Sequence, residues 1–357
     1  MNRVSVQTAD LKLENLTKRF GSVTAVNNVC LQIPHARLVT LLGPSGCGKT
    51  TILRMIAGLE APTSGAIYLG GENITSLPPN ERKITMVFQS YALFPHMNVY
   101  ENIAFGLRVM RWSEDRIKDA VSEALQMVGL KGLERRSAHE LSGGQQQRVA
   151  VARALVLKPR VLLFDEPLSN LDAKLRKRMR GEIRNLQRDL EITTVYVTHD
   201  QSEALAISDQ VVVMENAVVS QQGPPQELYS RPANPFVADF IGEANIVDVK
   251  VLDLNGNRAV IELGSVRFSV PFLKPPLPGK RAKFMIRPED IRIGPATEAA
   301  LRGVVKFAMY QGATNDYSID TEVGELGVVD HSPDRILHER GTEVALFFRQ
   351  ERGLLIG

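Results

Sequence analysis

A short glycine-rich stretch, GPSGCGKTT, constrains this chain more than any other feature of its sequence. It covers residues 43–51 and follows the apolar run LVTLL, so the chain there leaves a strand and enters a helix. The spacing Gly-x-x-x-x-Gly-Lys-Thr is that of a phosphate-binding loop, whose backbone N–H groups form a concave anion site. The following helix adds the positive end of its dipole. The sequence therefore predicts a nucleoside triphosphate site at this loop.

Each residue of the loop is expected to contact the nucleotide or its metal ion. Lys49 would reach the β- and γ-phosphates, and the Thr50 hydroxyl would ligate Mg²⁺. The alternative is a glycine-rich turn without a ligand, which gives no reason for a lysine and a threonine in register. The predicted nucleotide contacts are Gly43, Pro44, Ser45, Gly46, Cys47, Gly48, Lys49, Thr50 and Thr51.

Length and composition place the chain among ordinary globular proteins of about two domains. It has 357 residues, 44% of them hydrophobic and 23% charged, with a net charge of +3. That charge is too small to indicate nucleic acid or anionic lipid as the main partner. The first twenty residues lack the apolar core of a signal peptide. The sequence contains no run of about 18 apolar residues without charge, so no membrane span is predicted.

The pattern of apolar runs changes along the chain and predicts two domains. Residues 1–240 mix apolar strands such as VLLFDEP and TTVYVTHD with helical stretches, which is typical of a parallel α/β sheet. A helical subdomain is expected over about residues 90–160. Residues 241–357 read as short strands, including a hairpin that turns at Asn255 and Gly256, and predict a small all-β barrel or sandwich.

Two carboxylates stand at the end of the run VLLFDEP. The buried strand would place Asp165 where it can hold the Mg²⁺ shell, and Glu166 where it can act as a general base. The alternative is a strand followed by ordinary acidic loop residues. The phosphate loop upstream favours the catalytic interpretation.

A second helix start has the features of an anion site. In LSGGQQQR, residues 141–148, a hydroxyl and two glycines precede the helix. Two such sites and one nucleotide loop in a chain predict a dimer, in which Ser142 of one chain faces the γ-phosphate bound by the other. An ordinary capped helix is the alternative.

These motifs, in this order, resemble those of ATP-binding cassette (ABC) transporter ATPases, specifically the importer type with a C-terminal OB-like β domain, the TOBE domain. The resemblance implies an α/β P-loop NTPase cassette. It implies that Phe20 stacks on adenine, that Gln89 contacts Mg²⁺ and the attacking water, and that His199 hydrogen-bonds the γ-phosphate. The signature motif would be formed by Ser142, Gly143, Gly144 and Gln145, and the D-loop by residues 169–172.

The resemblance also implies a function and its partners. The chain would be an ATP-hydrolysing subunit that energises an importer, working as a homodimer beneath two integral membrane permease subunits. It would lie at the cytoplasmic face of the bacterial inner membrane, as a peripheral protein. A periplasmic substrate-binding protein would take part indirectly, nucleic acid would not, and the substrate would be a polyamine or ferric iron.

Two other classes remain open from the sequence. A soluble ABC ATPase of DNA repair or translation is one, although repair members usually carry coiled-coil inserts and translation members usually carry two cassettes. A P-loop kinase or GTPase is the other, but it gives no reason for LSGGQQQR.

Two further expectations concern single features. Cys47 is predicted to react with a maleimide faster than Cys30, because Lys49 and the helix start favour its thiolate form and because Cys30 is expected to be buried in a strand. The basic stretch KLRKRMRGEIRNLQR is interpreted as a solvated helix face rather than a nucleic-acid surface.

Overall fold

The computed structural model of the protein describes residues 10–294, 300–331 and 337–356. Residues 1–9, which belong to the stretch examined for a signal peptide, lie outside the described part. The chain divides into two compact units, of which the first ends at Pro225 and the second begins at Gln226. The boundary at residue 240, inferred from the prolines of the linker, stays a prediction.

From residue 10 onward, the first unit contains ten strands and six α-helices. Its strands are β1 Leu11–Phe20, β2 Val23–Ile33, β3 Leu38–Leu42, β4 Ser64–Leu69, β5 Glu72–Asn73, β6 Ile84–Val87, β7 Val161–Asp165, β8 Thr193–Thr198, β9 Gln210–Glu215 and β10 Val218–Gly223. Its helices are α1 Lys49–Ala57, α2 Val99–Val109, α3 Glu114–Met127, α4 Gly143–Leu155, α5 Ala173–Leu190 and α6 Gln201–Ile207.

A six-stranded sheet in the order β10-β9-β3-β8-β7-β6 forms the centre of this unit. Its strands from β9 to β6 are parallel, and β10 pairs antiparallel with β9. All five residues of β3 and all six of β8 are buried. Strands covered on both faces need apolar residues throughout, and this is why their sequences do not alternate. The predicted parallel sheet is confirmed.

The two faces of the parallel sheet have separate hydrophobic cores. On one side α1 packs between this sheet and a second sheet, in the order β2-β1-β4-β5, with Ile52 and Leu53 completely buried. On the other side, α2, α3 and α4 form a helical group around Ile103, Val121 and Val149. Phe164 of β7 belongs to that second core and connects the helical group to the sheet.

In the part that the structure describes, the second unit is all-β apart from a 3₁₀ turn at Pro288–Asp290 and two short helices at its beginning, the first of which starts at Pro225, the last residue of the first unit. Its helices are α7 Pro225–Ser230 and α8 Pro235–Phe240. Its strands are β11 Asn245–Asn255, β12 Arg258–Leu263, β13 Val266–Pro271, β14 Arg281–Ile286, β15 Ile291–Gly294, β16 Leu301–Tyr310, β17 Asn315–Thr321, β18 Gly324–Asp330, β19 Glu343–Phe348 and β20 Leu354–Ile356.

Two five-stranded antiparallel sheets share one core in this unit. Their orders are β13-β12-β11-β14-β20 and β15-β19-β16-β17-β18. Ile261 and Phe284 of the first sheet pack with Leu301 and Ile319 of the second, and all four are inaccessible to solvent. The predicted hairpin is present, since Asn255 pairs with Arg258 across the turn. The prediction of a small all-β domain is confirmed.

None of the helices in the described ranges is long and apolar enough to cross a membrane.

Candidate functional site

The carboxyl ends of four parallel strands meet at one edge of the central sheet. β3 pairs with β8, β8 with β7, and β7 with β6. The phosphate loop follows β3, the acidic pair lies at the end of β7, His199 follows β8 and Gln89 follows β6. Open α/β sheets bind their ligands in the crevice outside these strand ends. The topology therefore brings together residues that lie far apart in the sequence.

Two glycines of the phosphate loop are required by close contacts with backbone. Gly48 has a φ of 105°, and a Cβ there would lie 2.3 Å from Ala25 O. A Cβ on Gly43 would lie 2.4 Å from Met214 O. Neither contact can be relieved by moving a side chain, because both involve main-chain oxygens. The loop thus takes this path only with glycine at both positions.

Lys49 places a cation beside the loop. Its side chain is buried, and Nζ donates hydrogen bonds to Gly43 O at 2.7 Å and Pro44 O at 2.8 Å. Lys49 also begins α1, whose first turn contains no acidic residue. The buried ammonium and the helix start together favour an anion at this place. Of the loop, the exposed residues are Pro44, Ser45, Gly46 and Thr50, whereas Thr51 is half-buried.

Thr50 and Asp165 form a pair of oxygen groups next to the loop. Thr50 Oγ1 donates to Asp165 Oδ1 at 3.2 Å. Burial raises the pKa of the Asp165 carboxyl, and the hydrogen bond from Thr50 opposes this shift. A hydroxyl and a carboxylate at this distance are ligands of the kind that Mg²⁺ takes alongside phosphate oxygens and water. The residues present fit that ion.

Glu166 faces a different set of groups from Asp165. It lies just beyond the end of β7 with φ at 44°, in the left-handed region, and its N–H donates to Val197 O at 3.0 Å. Its Oε2 atom lies 3.1 Å from His199 Nδ1. A non-glycine residue in this region is uncommon and often marks a functional turn. The turn separates the two carboxylates, so that each serves its own contacts.

Gln89 completes the group around Glu166. Its amide nitrogen Nε2 lies 3.5 Å from Glu166 Oε2 and 3.3 Å from Ser169 Oγ. Asn170 Nδ2 donates to Gln89 O at 3.1 Å and so holds the backbone of Gln89. Sequence reasoning placed residues 169–172 at a dimer seam but did not foresee that two of them position Gln89.

Phe20, the residue expected to stack on adenine, lies at the end of β1. Phe20 is 49% exposed, so its ring is partly open to a flat partner. Lys18 Nζ lies 4.8 Å from the ring centroid, which is a cation–π distance.

The start of α4 is closed by its own side chains. Ser142 N donates to Gln145 Oε1 at 2.9 Å, and Ser142 Oγ accepts from Gln145 N at 3.4 Å. This reciprocal pair is a capping box. A Cβ on Gly143 or on Gly144 would lie 3.1 Å from a leucine side chain, so both glycines permit close packing there.

The prediction about the two cysteines is wrong in its premise. Cys47 is 5% exposed, whereas Cys30 is exposed. Cys30 lies on the outer face of β2, where its Sγ accepts a hydrogen bond from Asn15 N at 3.2 Å. Cys47 Sγ lies 3.6 Å from Lys49 Nζ, inside the loop.

Comparison with known proteins identifies the family. A family model described as ABC transporter matches residues 26–169, and one described as TOBE domain matches residues 284–356. Over 98% of both chains, the sequence is 50% identical to an Fe(3+) ions import ATP-binding protein of Rhizobium meliloti. The chain belongs to the ATP-binding subunits of importer-type ABC transporters. It is therefore an ATPase that drives transport, and the importer interpretation is confirmed among the alternatives that the sequence left open.

Other relatives agree with this assignment. An Fe(3+) ions import ATP-binding protein of Brucella abortus is 49% identical over 99% of both chains. Among solved structures, that of cbiO1 from Clostridium perfringens, described as part of the ABC transporter complex cbiONQ, matches with a TM-score of 0.57 and 32% identity. It covers 61% of this chain and 89% of the cbiO1 chain.

Helix α5 contains the basic stretch KLRKRMRGEIRNLQR, which was predicted to be a solvated face. Only part of it is solvated. Arg178 is 70% exposed, but Arg176 and Arg184 are largely covered, with side-chain exposures of 29% and 13%. Arg184 forms an ion pair with Asp209, and Arg176 contacts Asp200. Arg176 and Arg184 are eight residues, or about two helical turns, apart on α5, so both lie on its inner face, and this spacing is the signal that the sequence contained.

Proposed function

We propose that this ATPase works as one half of a homodimer that imports ferric iron. It lies peripherally at the cytoplasmic face of the bacterial inner membrane, beneath two integral membrane permease subunits. A periplasmic binding protein delivers the cargo to those subunits. One observation supports the catalytic part of this proposal. At the strand ends, His199 and Gln89 each lie within 3.5 Å of the Glu166 carboxylate. The pair of Thr50 and Asp165 lies beside them.

The phosphate loop binds and orients the triphosphate. Lys49 and the start of α1 attract its negative charge, and Phe20 offers a face for the adenine ring. Thr50 and Asp165 would hold Mg²⁺, which would neutralise part of the negative charge of the triphosphate. Because the phosphate loop, Thr50 and Asp165 lie at one edge of the central sheet, the chain holds the γ-phosphate in a fixed position.

Glu166 acts as the general base. Its carboxylate accepts a proton from the attacking water, and Gln89 is close enough to orient the same water by a hydrogen bond. His199, 3.1 Å from Glu166 Oε2, hydrogen-bonds the γ-phosphate oxygens and stabilises their charge as the bond breaks.

The start of α4 acts on the nucleotide of the partner chain. Ser142 is exposed, and its helix start provides oriented N–H groups for a γ-phosphate. ATP joins the two chains through Ser142, Gly143, Gly144 and Gln145 of each, and hydrolysis separates them. The membrane subunits convert this closure into transport.

Ferric iron is proposed as the cargo because similar chains from Rhizobium and Brucella are named Fe(3+) ions import proteins, with matches over nearly their full length. The test is uptake by vesicles that contain the complete transporter, with ferric iron and a polyamine offered in parallel. ATP-dependent uptake of the polyamine without uptake of iron would overturn the cargo but leave the ATPase assignment intact.

The substitution Glu166→Gln tests the catalytic part. The amide cannot accept the proton of water, so turnover should fall on the order of 10²-fold or more, while ATP binding is retained. The variant should accumulate as an ATP-bound dimer on size-exclusion chromatography.

A matched control is Glu72→Gln, which changes an exposed carboxylate on β5 of the same unit. It should hydrolyse ATP at the wild-type rate. Wild-type turnover in Glu166→Gln would instead show that another group removes the proton.

A further inference from the structure

His199 has an exposed side chain whose position is fixed by its neighbours rather than by packing. Its side chain is 58% exposed, and its Nδ1 atom lies 3.1 Å from Glu166 Oε2. A group that is not enclosed by packing keeps its geometry only if the backbone on both sides is held. The residues that hold this backbone therefore matter for the reaction.

Thr198 fixes the backbone on both sides of His199. Its Oγ1 donates to Glu203 Oε2 at 2.9 Å and accepts from Asp200 N at 2.9 Å. The side chain is 3% exposed. The peptide that carries His199 is thus anchored to a carboxylate on α6.

Glu203 is the buried anchor of this arrangement. It is 3% exposed, and besides Thr198 its Oε2 accepts from Tyr196 OH at 3.0 Å. Burial raises the pKa of the Glu203 carboxyl, and the two hydroxyl donors lower it. The other oxygen, Oε1, lies 3.9 Å from Arg176 Nε, which is buried and forms no hydrogen bond of its own.

Arg176 connects this anchor to the loop that follows Glu166. Its Nη2 donates to Leu171 O at 3.0 Å, within the segment of residues 169–172. Its Nη1 donates to Asp200 Oδ2 at 3.4 Å, and its Nε faces Glu203. One planar guanidinium therefore contacts the Glu166 loop and the His199 segment at the same time, which a lysine cannot do.

We infer that Arg176 and Glu203 are positioning residues, which keep His199 and Glu166 in the relative positions that ATP hydrolysis requires. This inference rests on the proposed roles of His199 and Glu166. Residues 169–172 are the segment proposed to line the dimer seam, so a movement of this loop on dimer closure passes through Arg176 to the His199 peptide. Misplacement of a catalytic group by about 1 Å can cost about 10²-fold in rate.

The experiment compares ATP hydrolysis by the full-length wild-type chain and three variants. Arg176→Gln should lower kcat by roughly 10- to 100-fold, while the KM for ATP changes little, because the phosphate loop is untouched. Arg176→Lys, which keeps the charge but loses the planar fork, should recover only part of this loss. Arg178→Gln is the matched control on the same helix and should keep wild-type kcat, since that residue is 70% exposed.

A double-variant cycle separates positioning from a structural effect. In a His199→Ala background there is no imidazole to position and only Glu166 remains to be held, so adding Arg176→Gln should lower kcat by a clearly smaller factor than it does in the wild-type background. An equal fold-loss in both backgrounds, or a raised KM with unchanged kcat, would overturn the inference.

Glu203→Gln gives a second route if Arg176→Gln unfolds. The amide oxygen still accepts from Thr198 and Tyr196 but loses the charge that faces Arg176, and the expected pattern of kcat loss is the same. Failure of the proposed function would look different: Glu166→Gln or His199→Ala would then retain turnover, whatever the Arg176 variants do.

Discussion

At the scale of single residues, burial decides what the two cysteines can do. Cys30 is on the outer face of β2, opposite Val29 and Leu31, which point into the core. The alternation in the sequence VCL already contained this signal, because successive residues of a strand face opposite sides. Cys47 sits inside the phosphate loop, where its Sγ would be 2.7 Å from a Cβ on Gly43.

We expect maleimide to label Cys30 before Cys47, the reverse of the order that the sequence predicts. The fast phase of labelling should disappear in Cys30→Ser and persist in Cys47→Ser, as followed by peptide mapping over time. Labelling of Cys30 should leave ATP hydrolysis unchanged. The slower adduct at Cys47 should block ATP binding, because it occupies the loop. A fast phase that vanishes in Cys47→Ser would contradict the burial seen here.

At the scale of elements, α4 connects two parts of the site. Its first residues carry the capping box of Ser142, and near its end Arg153 reaches the segment that follows Gln89. Arg153 Nη1 donates to Ala92 O at 2.7 Å, and Nη2 donates to Tyr91 O at 2.9 Å. Tyr91 and Ala92 have φ values of 60° and 47°, a costly conformation for residues other than glycine. The arginine holds this strained turn in place.

Arg153→Gln should lower the free energy of unfolding of the first unit by about 1–3 kcal/mol, because two carbonyls lose their donor. The only tryptophan of the chain, Trp112, lies next to the helical group, so its fluorescence in a urea titration reports this unit. Arg108→Gln is the control. It removes an exposed ion pair with Glu114 and should cost less than about 1 kcal/mol. Equal losses in both variants would show that the turn does not depend on Arg153.

The elements that sequence patterns predicted correctly are those with local signals. β3 and β8 are continuous apolar runs, and the β11–β12 hairpin has Asn255 and Gly256 at its turn. The phosphate loop is a local motif as well. Contacts such as those of Arg153 with Tyr91, or of Arg176 with Leu171 and Glu203, depend on how helices pack against distant loops. Helical spacing indicates that Arg176 lies on the inner face of α5, but it does not name the partner of Arg176 or of Arg153, so these contacts could not be predicted from spacing alone.

At the scale of the whole molecule, the chain carries one phosphate loop but two helix starts suited to a γ-phosphate. The first helix start begins at Lys49, and its next residue, Thr50, donates a hydrogen bond to Asp165. At the second, the hydrogen bonds of Ser142 stay within its own helix start. The proposed homodimer uses both starts on each ATP. This arrangement makes each active site depend on two chains.

Mixed dimers test that dependence. Lys49→Ala damages the loop, Ser142→Arg damages the start of α4, and either variant alone should lose on the order of 10²-fold of its ATP hydrolysis. When the two full-length variants are mixed, a heterodimer combines both defects in one site and leaves the other site intact, so activity should reappear. Ser113→Arg is the control, since Ser113 is an exposed serine at the start of α3 without a side-chain cap bond. It should hydrolyse ATP normally by itself. If the mixture is only as active as the sum of its two components measured apart, Ser142 acts within its own chain and the shared site is wrong.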